Sequence, residues 1–443
     1  MRDGVFCIKV YGCQMNVYDG DRLRGAMTSL GWTETADALD ADAVIFVTCS
    51  IRDKAEQKVI SELGRFRPLW EKNKRPKVTL IGCMAQRTGA NLARRFPWVR
   101  VVAGPRHMGD VPALIAESMD GGVFLRLDED PSEMADLECA PLPRGNPHKA
   151  FITIAHGCDQ FCSYCIVPYV RGRFASRLRE DVLNEARGLV SRGVREITLI
   201  GQNVNTYGKD FGNGTCKNYR FADLLEEVSE ISGLRRVRFT TSHPVDFSGD
   251  ILDVMKRRAN VCPGINLPVQ AGSDKVLREM NRKYTRAEYL ATVGRIRETL
   301  PEVGLSTDLI VGFPGESREE FEESVSLIEE ARFDLVHSAA YSPREGTPAA
   351  ARSDQIAPPE RARRLSKINE VQSRISSEIN RGQIGRVIEV LLDEPAPKGE
   401  GLLQGRTVTD KVVLVKAPAE MTGRFRSVRI TDASPWCLEG ELL

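Results

Sequence analysis

Apolar positions along this chain fall into two rhythms. Short apolar blocks at Val5–Tyr11, Ala43–Thr48, Lys77–Ile81 and Val99–Ala103 read as strands. Between them, Gly20–Leu30, Arg52–Arg65 and Gly89–Phe96 repeat apolar residues at the spacing of amphipathic helices. The alternation predicts an α/β fold that opens with a doubly wound parallel-sheet domain over residues 1–127. Residues 128–147 turn acidic and then Pro-rich, and read as a linker. The β-then-α rhythm resumes over 148–378. Strands are expected at Ala150–Ala155, Glu196–Ile200, Arg235–Thr241, Ile265–Val269, Leu305–Val311 and Leu335–Tyr341. Helices are expected at Arg177–Arg192, Phe221–Ile231, Asp250–Arg258, Arg286–Leu300 and Arg318–Ala331. Six such units fall short of the eight of a closed barrel, so a partial (βα)6 barrel is expected. A helix over Pro359–Ile379 leads into 379–443, where Gly385–Leu392, Lys411–Val415 and Arg424–Thr431 follow one another without helices, as in a small β-barrel.

Composition changes this picture in two ways. Lys+Arg at 62 and Asp+Glu at 61 nearly cancel, so a nucleic-acid surface would have to be local. No apolar run approaches the roughly 18 residues of a membrane span, and the N-terminus lacks a signal-peptide core. A cytoplasmic protein with no membrane partner is the expectation. Cysteine is the second point. Eleven in a long cytosolic chain, an odd count, argue against a disulfide framework and for reduced thiols.

Cys158, Cys162 and Cys165 follow the first strand of the second segment in a C-x3-C-x2-C pattern. That spacing lets three thiolates converge on one metal centre. Zinc in a closed site wants four ligands; a [4Fe–4S] cluster also takes four thiolates, so three leave one iron open to another ligand. His156 could complete a zinc set, although its place at a strand end also suits an ordinary role. Cys13, Cys49 and Cys83 lie about 35 residues apart, each just past the C-terminal end of an expected parallel strand. Ligands of open α/β sheets bind along that edge, so the three are expected to meet in a second three-thiolate site. Gly12 and Gly82 would let backbone approach closely there. Buried core cysteine is the competing reading for any one of them. Cys7, Cys139, Cys216, Cys262 and Cys437 are read as core or incidental.

The form Cys158-x3-Cys162-Ser163-Tyr164-Cys165 resembles the radical S-adenosylmethionine (SAM) superfamily. Over essentially the whole chain, the order of domains resembles the radical-SAM methylthiotransferases, whose last piece is a TRAM domain, a small RNA-binding barrel. Gly12-Cys13-Gln14-Met15-Asn16 and Thr48-Cys49-Ser50-Ile51-Arg52-Asp53-Lys54-Ala55 are similar to the tRNA-2-methylthio-N6-dimethylallyladenosine synthases. So are Phe239-Thr240-Thr241-Ser242-His243-Pro244, Leu267-Pro268-Val269-Gln270-Ala271-Gly272-Ser273-Asp274 and Gly312-Phe313-Pro314-Gly315-Glu316. His156 departs from the pattern, since relatives often carry an acidic residue there.

The resemblance implies two [4Fe–4S] clusters and SAM as cofactors. Cys158, Cys162 and Cys165 would hold the cluster that cleaves SAM to a 5′-deoxyadenosyl radical; Cys13, Cys49 and Cys83 would hold an auxiliary cluster carrying the sulfur. The methylthio group would pass to C2 of N6-isopentenyladenosine beside the anticodon of a tRNA. SAM contacts are expected at the strand ends of the barrel, from Tyr164, Gln202, Asn203, Ser242, Gln270, Ser273 and Asp308. His243 suits a ligand or a turn equally. Phosphate contacts are expected from Arg171, Arg173, Arg177 and Arg179, and in the tail from Arg406, Lys411, Arg424, Arg426 and Arg429. The target base would have to leave its stack. Expected partners are tRNA bearing isopentenyladenosine, a flavodoxin- or ferredoxin-like electron donor and a sulfur donor, with the protein a monomer. The alternatives are the same chemistry on threonylcarbamoyladenosine tRNA or on a ribosomal-protein aspartate, and a non-catalytic iron–sulfur or zinc RNA-binding protein.

Overall fold

The computed structural model describes residues 4–50, 53–128, 146–212 and 218–443, with only the backbone of 53–55. Most of the expected linker, Ile51, Arg52, Cys139 and Cys216 lie outside these residues. The first domain is a six-stranded sheet in the order Thr33–Glu34, Val5–Val10, Ala43–Thr48, Lys77–Gly82, Val99–Ala103, Phe124–Arg126. Every pairing in it is parallel. All six residues of Ala43–Thr48 are buried, because helices cover both faces. Val44 and Phe46 pack with Val59, Leu63, Met84 and Leu92 on one side. Ala43, Ile45 and Val47 pack with Leu23, Met27, Leu114 and Ile115 on the other.

Two helices start earlier than the apolar period suggests. Gln14–Ser29 begins directly after Cys13, and Cys83–Arg95 begins at the cysteine itself. Arg67–Asn73 and Val111–Met119 are further helices beyond those expected.

The second domain carries its strands in two parallel three-stranded sheets. One has the order Arg236–Phe239, Glu196–Ile200, Lys149–Thr153; the other runs Gly264–Asn266, Gly304–Val311, Leu335–Ala340. A parallel bridge between Val237 and Val261 connects the first sheet to the segment that enters the second. The result is the expected open barrel of six βα units, filled by one apolar core. Helices Arg286–Thr299 and Arg318–Ala331 begin where expected because Thr285 with Glu288, and Ser317 with Glu320, form capping boxes.

The last domain is a closed five-stranded barrel. Leu402–Arg406 and Leu438–Leu442 join the three strands that the sequence suggested. This barrel docks on the N-terminal ends of the larger barrel's strands. Arg236 donates to the carbonyls of Arg406 (2.9 Å) and Glu389 (3.0 Å), and Arg238 to those of Val408 (3.0 Å) and Thr407 (2.6 Å). Lys149 pairs with Asp393, and Lys411 with Asp334. The cysteine loops lie at the opposite, C-terminal ends of those strands.

Candidate active site at the mouth of the partial barrel

The C-x3-C-x2-C loop is held by backbone contacts that side-chain spacing does not reveal. Gly157 turns the chain at φ +68°, and a Cβ there would fall inside the Arg173 carbonyl. The Cys158 N–H donates to Gly172 O (3.2 Å), and the Cys165 N–H to Cys162 O (2.9 Å). Ser163 donates through its N–H to Met280 O (3.0 Å) and through Oγ to Glu279 O (2.7 Å). The Asn281 amide donates to the carbonyls of Gln160 (3.2 Å) and Phe161 (2.9 Å), which fixes Phe161 at φ +46°. Arg282 Nη1 sits 3.5 Å from Cys162 Sγ, while its Nη2 donates to Pro268 O (2.8 Å). Burial pushes the Cys158 thiol up to about 11 and the Cys165 thiol up to about 12.

Of the sheet-edge cysteines of the first domain, Cys49 hydrogen-bonds Cys13, and Cys13 and Cys83 share the neighbourhood of Arg171. A Cβ built on Gly12 would lie 2.9 Å from Cys49 Sγ, and one on Gly82 would lie 2.5 Å from Thr48 O, so only glycine admits these approaches. Both glycines have positive φ, +119° and +101°. The hydrogen bond from Cys49 draws the Cys13 thiol down to about 5 against its burial, with Arg171 assisting. Burial raises Cys83, and Arg171 opposes it. Cys83 packs against Ile166 and Val170, immediately after the loop triad. Met15 and Tyr18 pack against Ile200, and Gln202 donates to Met15 Sδ. The two triads therefore share one domain interface at the barrel mouth.

The expected SAM contacts fall into two groups. Gln202, Asn203 and Ser242 cluster at the mouth, where Gln202 Oε1, Asn203 Oδ1 and Ser242 Oγ are buried without a hydrogen-bond partner among the described residues. Both ring nitrogens of His243 share that state, and burial with Arg282 and Lys209 nearby lowers its pKa to about 2, leaving a neutral ring. Orphaned buried polar atoms are rare, and several together fit a polar ligand. The remaining candidates have roles within the chain. Asn266 donates to Asp308 Oδ2 (3.0 Å), Ser273 is the N-cap of Asp274–Glu279, and Gln270 takes φ +75° with its N–H on Asp308 O (2.9 Å). Tyr164 packs on the barrel core. His156 is kept neutral by desolvation and by Arg171, Arg177 and Arg22.

The basic residues divide more sharply. Arg171 is buried against Cys83, Asn16 and Asp19, and Arg177 is buried against Glu185 (2.8 Å) and Thr153 O (2.8 Å). Lys411 is tied to Asp334 and Asn380. Arg171 and Arg177 cannot meet phosphates, because a buried cation must be paired in place, and Lys411 is mostly covered by its own pair. Arg179 forks onto Glu227 (2.9 Å for both bonds), Arg406 binds Asp410, and Arg173 binds Asp159 (3.0 Å) while half exposed. Arg424 and Arg429 are exposed, and Arg426 is half-buried. Four functional neighbours went unnoticed in the sequence: Arg282 and Asn281 at the loop, Arg171 as a thiol partner, and Asp246. Asp246 accepts from Gln160 (2.9 Å), Asn203 (2.7 Å) and Lys209. Each is far in sequence from what it supports, and no local pattern marks it.

Among the described residues no group of three His, Cys, Asp or Glu side chains could hold a single metal ion. A [4Fe–4S] cluster makes a different demand, since each thiolate binds its own iron and the ligands stand further apart. Two sets of three thiols, each beside a buried arginine, fit such clusters with one iron open.

Comparisons with known proteins agree with this geometry. Residues 5–104 match the uncharacterized protein family UPF0004, residues 152–328 the radical SAM superfamily, and residues 381–443 the TRAM domain. A tRNA-2-methylthio-N(6)-dimethylallyladenosine synthase of Acetivibrio thermocellus is 40% identical, covering 99% of this chain and 91% of its own. Relatives of the same name from Dictyoglomus thermophilum (41%) and Aquifex aeolicus (40%) each cover 99% of this chain and 98% of their own. In fold, the radical S-adenosylmethionine methyltransferase TsrM from Kitasatospora setae matches with a TM-score of 0.54 at 15% identity, over 79% of this chain and 75% of that one. By sequence over its full length, the chain belongs to the tRNA-2-methylthio-N(6)-dimethylallyladenosine synthase family of radical-SAM proteins.

Proposed function

We propose that this protein is a tRNA methylthiotransferase that places a methylthio group on C2 of N6-isopentenyladenosine beside the anticodon. The observation that carries the reading is the shared interface, where two three-thiol sets flank one barrel mouth. Cys158, Cys162 and Cys165 would hold the cluster that takes SAM; Cys13, Cys49 and Cys83 would hold the auxiliary one. When bound, the two [4Fe–4S] clusters and SAM supply one-electron cleavage of SAM and a site for the sulfur that is transferred.

The chain itself provides position. Asn281, Ser163 and Gly157 fix the loop that carries the three thiols. Gln202, Asn203, Ser242 and His243 present unpaired polar atoms at the strand ends, suited to the amino and carboxylate groups of SAM. Neutral His243 can donate or accept there but carries no charge to compete with the cationic sulfonium. Asp246 ties the loop, through Gln160, to the second strand end, through Asn203, so the thiols and the SAM pocket move as a unit. Packing of Met15, Tyr18 and Ile200 closes this side of the mouth to water.

The small barrel lies at the far end of the strands. An RNA touching both it and the mouth would span about 20 Å, the length of strands of this size. Exposed Arg424 and Arg429 are the phosphate contacts we favour on it. A flavodoxin- or ferredoxin-like electron donor and a sulfur donor complete the reaction, which a monomer in the cytoplasm can carry out; no helix among the described residues is long and apolar enough to cross a membrane. The test is anaerobic incubation of reconstituted protein with SAM, reductant, sulfide and tRNA bearing isopentenyladenosine, read by nucleoside mass spectrometry. A 2-methylthio product is expected. Formation of 5′-deoxyadenosine without a changed nucleoside would overturn the substrate, and would favour threonylcarbamoyladenosine tRNA.

A further inference from the structure

Arg171 closes the five-residue helix Val167–Arg171, six positions after Cys165. Its side chain leaves the barrel and enters the first domain. Nε donates to Cys83 Sγ at 3.1 Å, and Nη2 lies 3.4 Å from Asn16 Oδ1 and 3.3 Å from Asp19 Oδ2. The side chains of Arg171 and Asp19 are 4% and 3% exposed. A guanidinium held this far from water is costly to desolvate, so its partners must be held in fixed geometry. The chain thus places a permanent cation on a sulfur of the other domain and sets a carboxylate behind it.

We propose that Arg171 is a positioning residue that sets the reduction potential of the auxiliary cluster through Cys83, with Asp19 as its counterweight. The inference rests on the reading of Cys13, Cys49 and Cys83 as cluster ligands. A hydrogen bond and a positive charge on a ligating sulfur favour the reduced, more negative form of a cluster, and so raise its potential. Burial strengthens the effect because little solvent screens it. Asp19 offsets part of the cation's field. The same arginine also welds the segment after Cys165 to Cys83, so the two thiol sets keep one spacing.

The two partners make opposite predictions, which a purely structural role would not. The measurement is a redox titration, followed by electron paramagnetic resonance, of the full chain carrying Cys158→Ala, Cys162→Ala and Cys165→Ala, so that only the auxiliary cluster is present. Against that background, Arg171→Met is expected to lower the midpoint potential, Arg171→Lys to restore part of it, and Asp19→Asn to raise it. Each should retain about four irons per chain. Full iron with an unmoved potential in Arg171→Met overturns the proposal. If Arg171→Met fails to load iron, Asp19→Asn carries the test, and an unmoved or lowered potential there overturns it. A background chain that binds no iron at all removes the auxiliary cluster itself and overturns both readings, whereas shifts of the expected opposite signs support this one.

Discussion

The two thiol sets reach the same end by opposite routes. Cys158, Cys162 and Cys165 are neighbours in sequence, and their loop converges because short backbone bonds and a positive-φ glycine fold it on itself. Cys13, Cys49 and Cys83 are brought together by the order of strands in a parallel sheet, with each thiol at a strand end or at the start of the helix that follows. The loop set is therefore a local motif supported from outside, by Asn281, Arg282 and the Glu279 and Met280 carbonyls that Ser163 reaches. The sheet-edge set is a property of the whole first domain, and its outside support from the barrel is Arg171 on Cys83 with apolar packing from Ile166, Val170 and Ile200. Damage should differ accordingly: the loop set fails by losing a few bonds, the sheet-edge set by losing close backbone approach.

The largest effect separates the two by product. Cys162→Ala should reduce both 5′-deoxyadenosine formation and methylthiolation to background. Cys49→Ala should abolish methylthiolation and leave SAM cleavage, as read by chromatography of the same reaction mixtures. Next come the glycines. Gly157→Ala and Gly82→Ala each force a Cβ against a carbonyl at positive φ, a strain of at least about 2 kcal/mol. Each should cost one cluster and leave the other, so iron should fall by about half in both, with opposite clusters lost. Asn281→Ala is milder. It removes two hydrogen bonds to the loop, about 1 kcal/mol each, and should speed loss of the loop cluster in air several-fold, followed by absorbance, without touching the auxiliary one. The smallest effect lies in RNA binding. Arg424→Ala and Arg429→Ala should each lower the salt slope of tRNA binding by about 1. Arg177→Ala should instead lower Tm by several degrees, because Glu185 loses its buried cation, with little specific change in that slope.

The comparison also explains what the sequence could and could not tell. The strand at Glu196–Ile200 and the helix at Arg318–Ala331 are found at their expected residues, since each has a clean period and the helix has a capping box. The helices after Cys13 and Cys83 begin six residues before their apolar period, at Gln14 and Cys83 rather than Gly20 and Gly89. One side of each first turn faces the barrel, so Met15, Tyr18 and Cys83 obey a pattern set by another domain, while Met84 still packs in the sheet's own core. Short strands such as Leu402–Arg406 were missed because their burial alternates through a glutamine and a glycine. Charge misled most. Arg171, Arg177 and Lys411 look like phosphate ligands in one dimension, yet all three are spent on carboxylates, carbonyls or sulfur inside the fold. A cation's partner lies in the third dimension, which composition and spacing do not contain.

Two separate three-thiolate [4Fe–4S] sites in one chain are what the proposed function requires. Iron and sulfide analysis with Mössbauer spectroscopy, on the reconstituted chain and on each triple cysteine variant, tests it most directly. About eight irons and eight sulfides per chain are expected, falling to about four of each when either set is removed. Zinc without sulfide, or about four irons that survive loss of one set and vanish with the other, would contradict it.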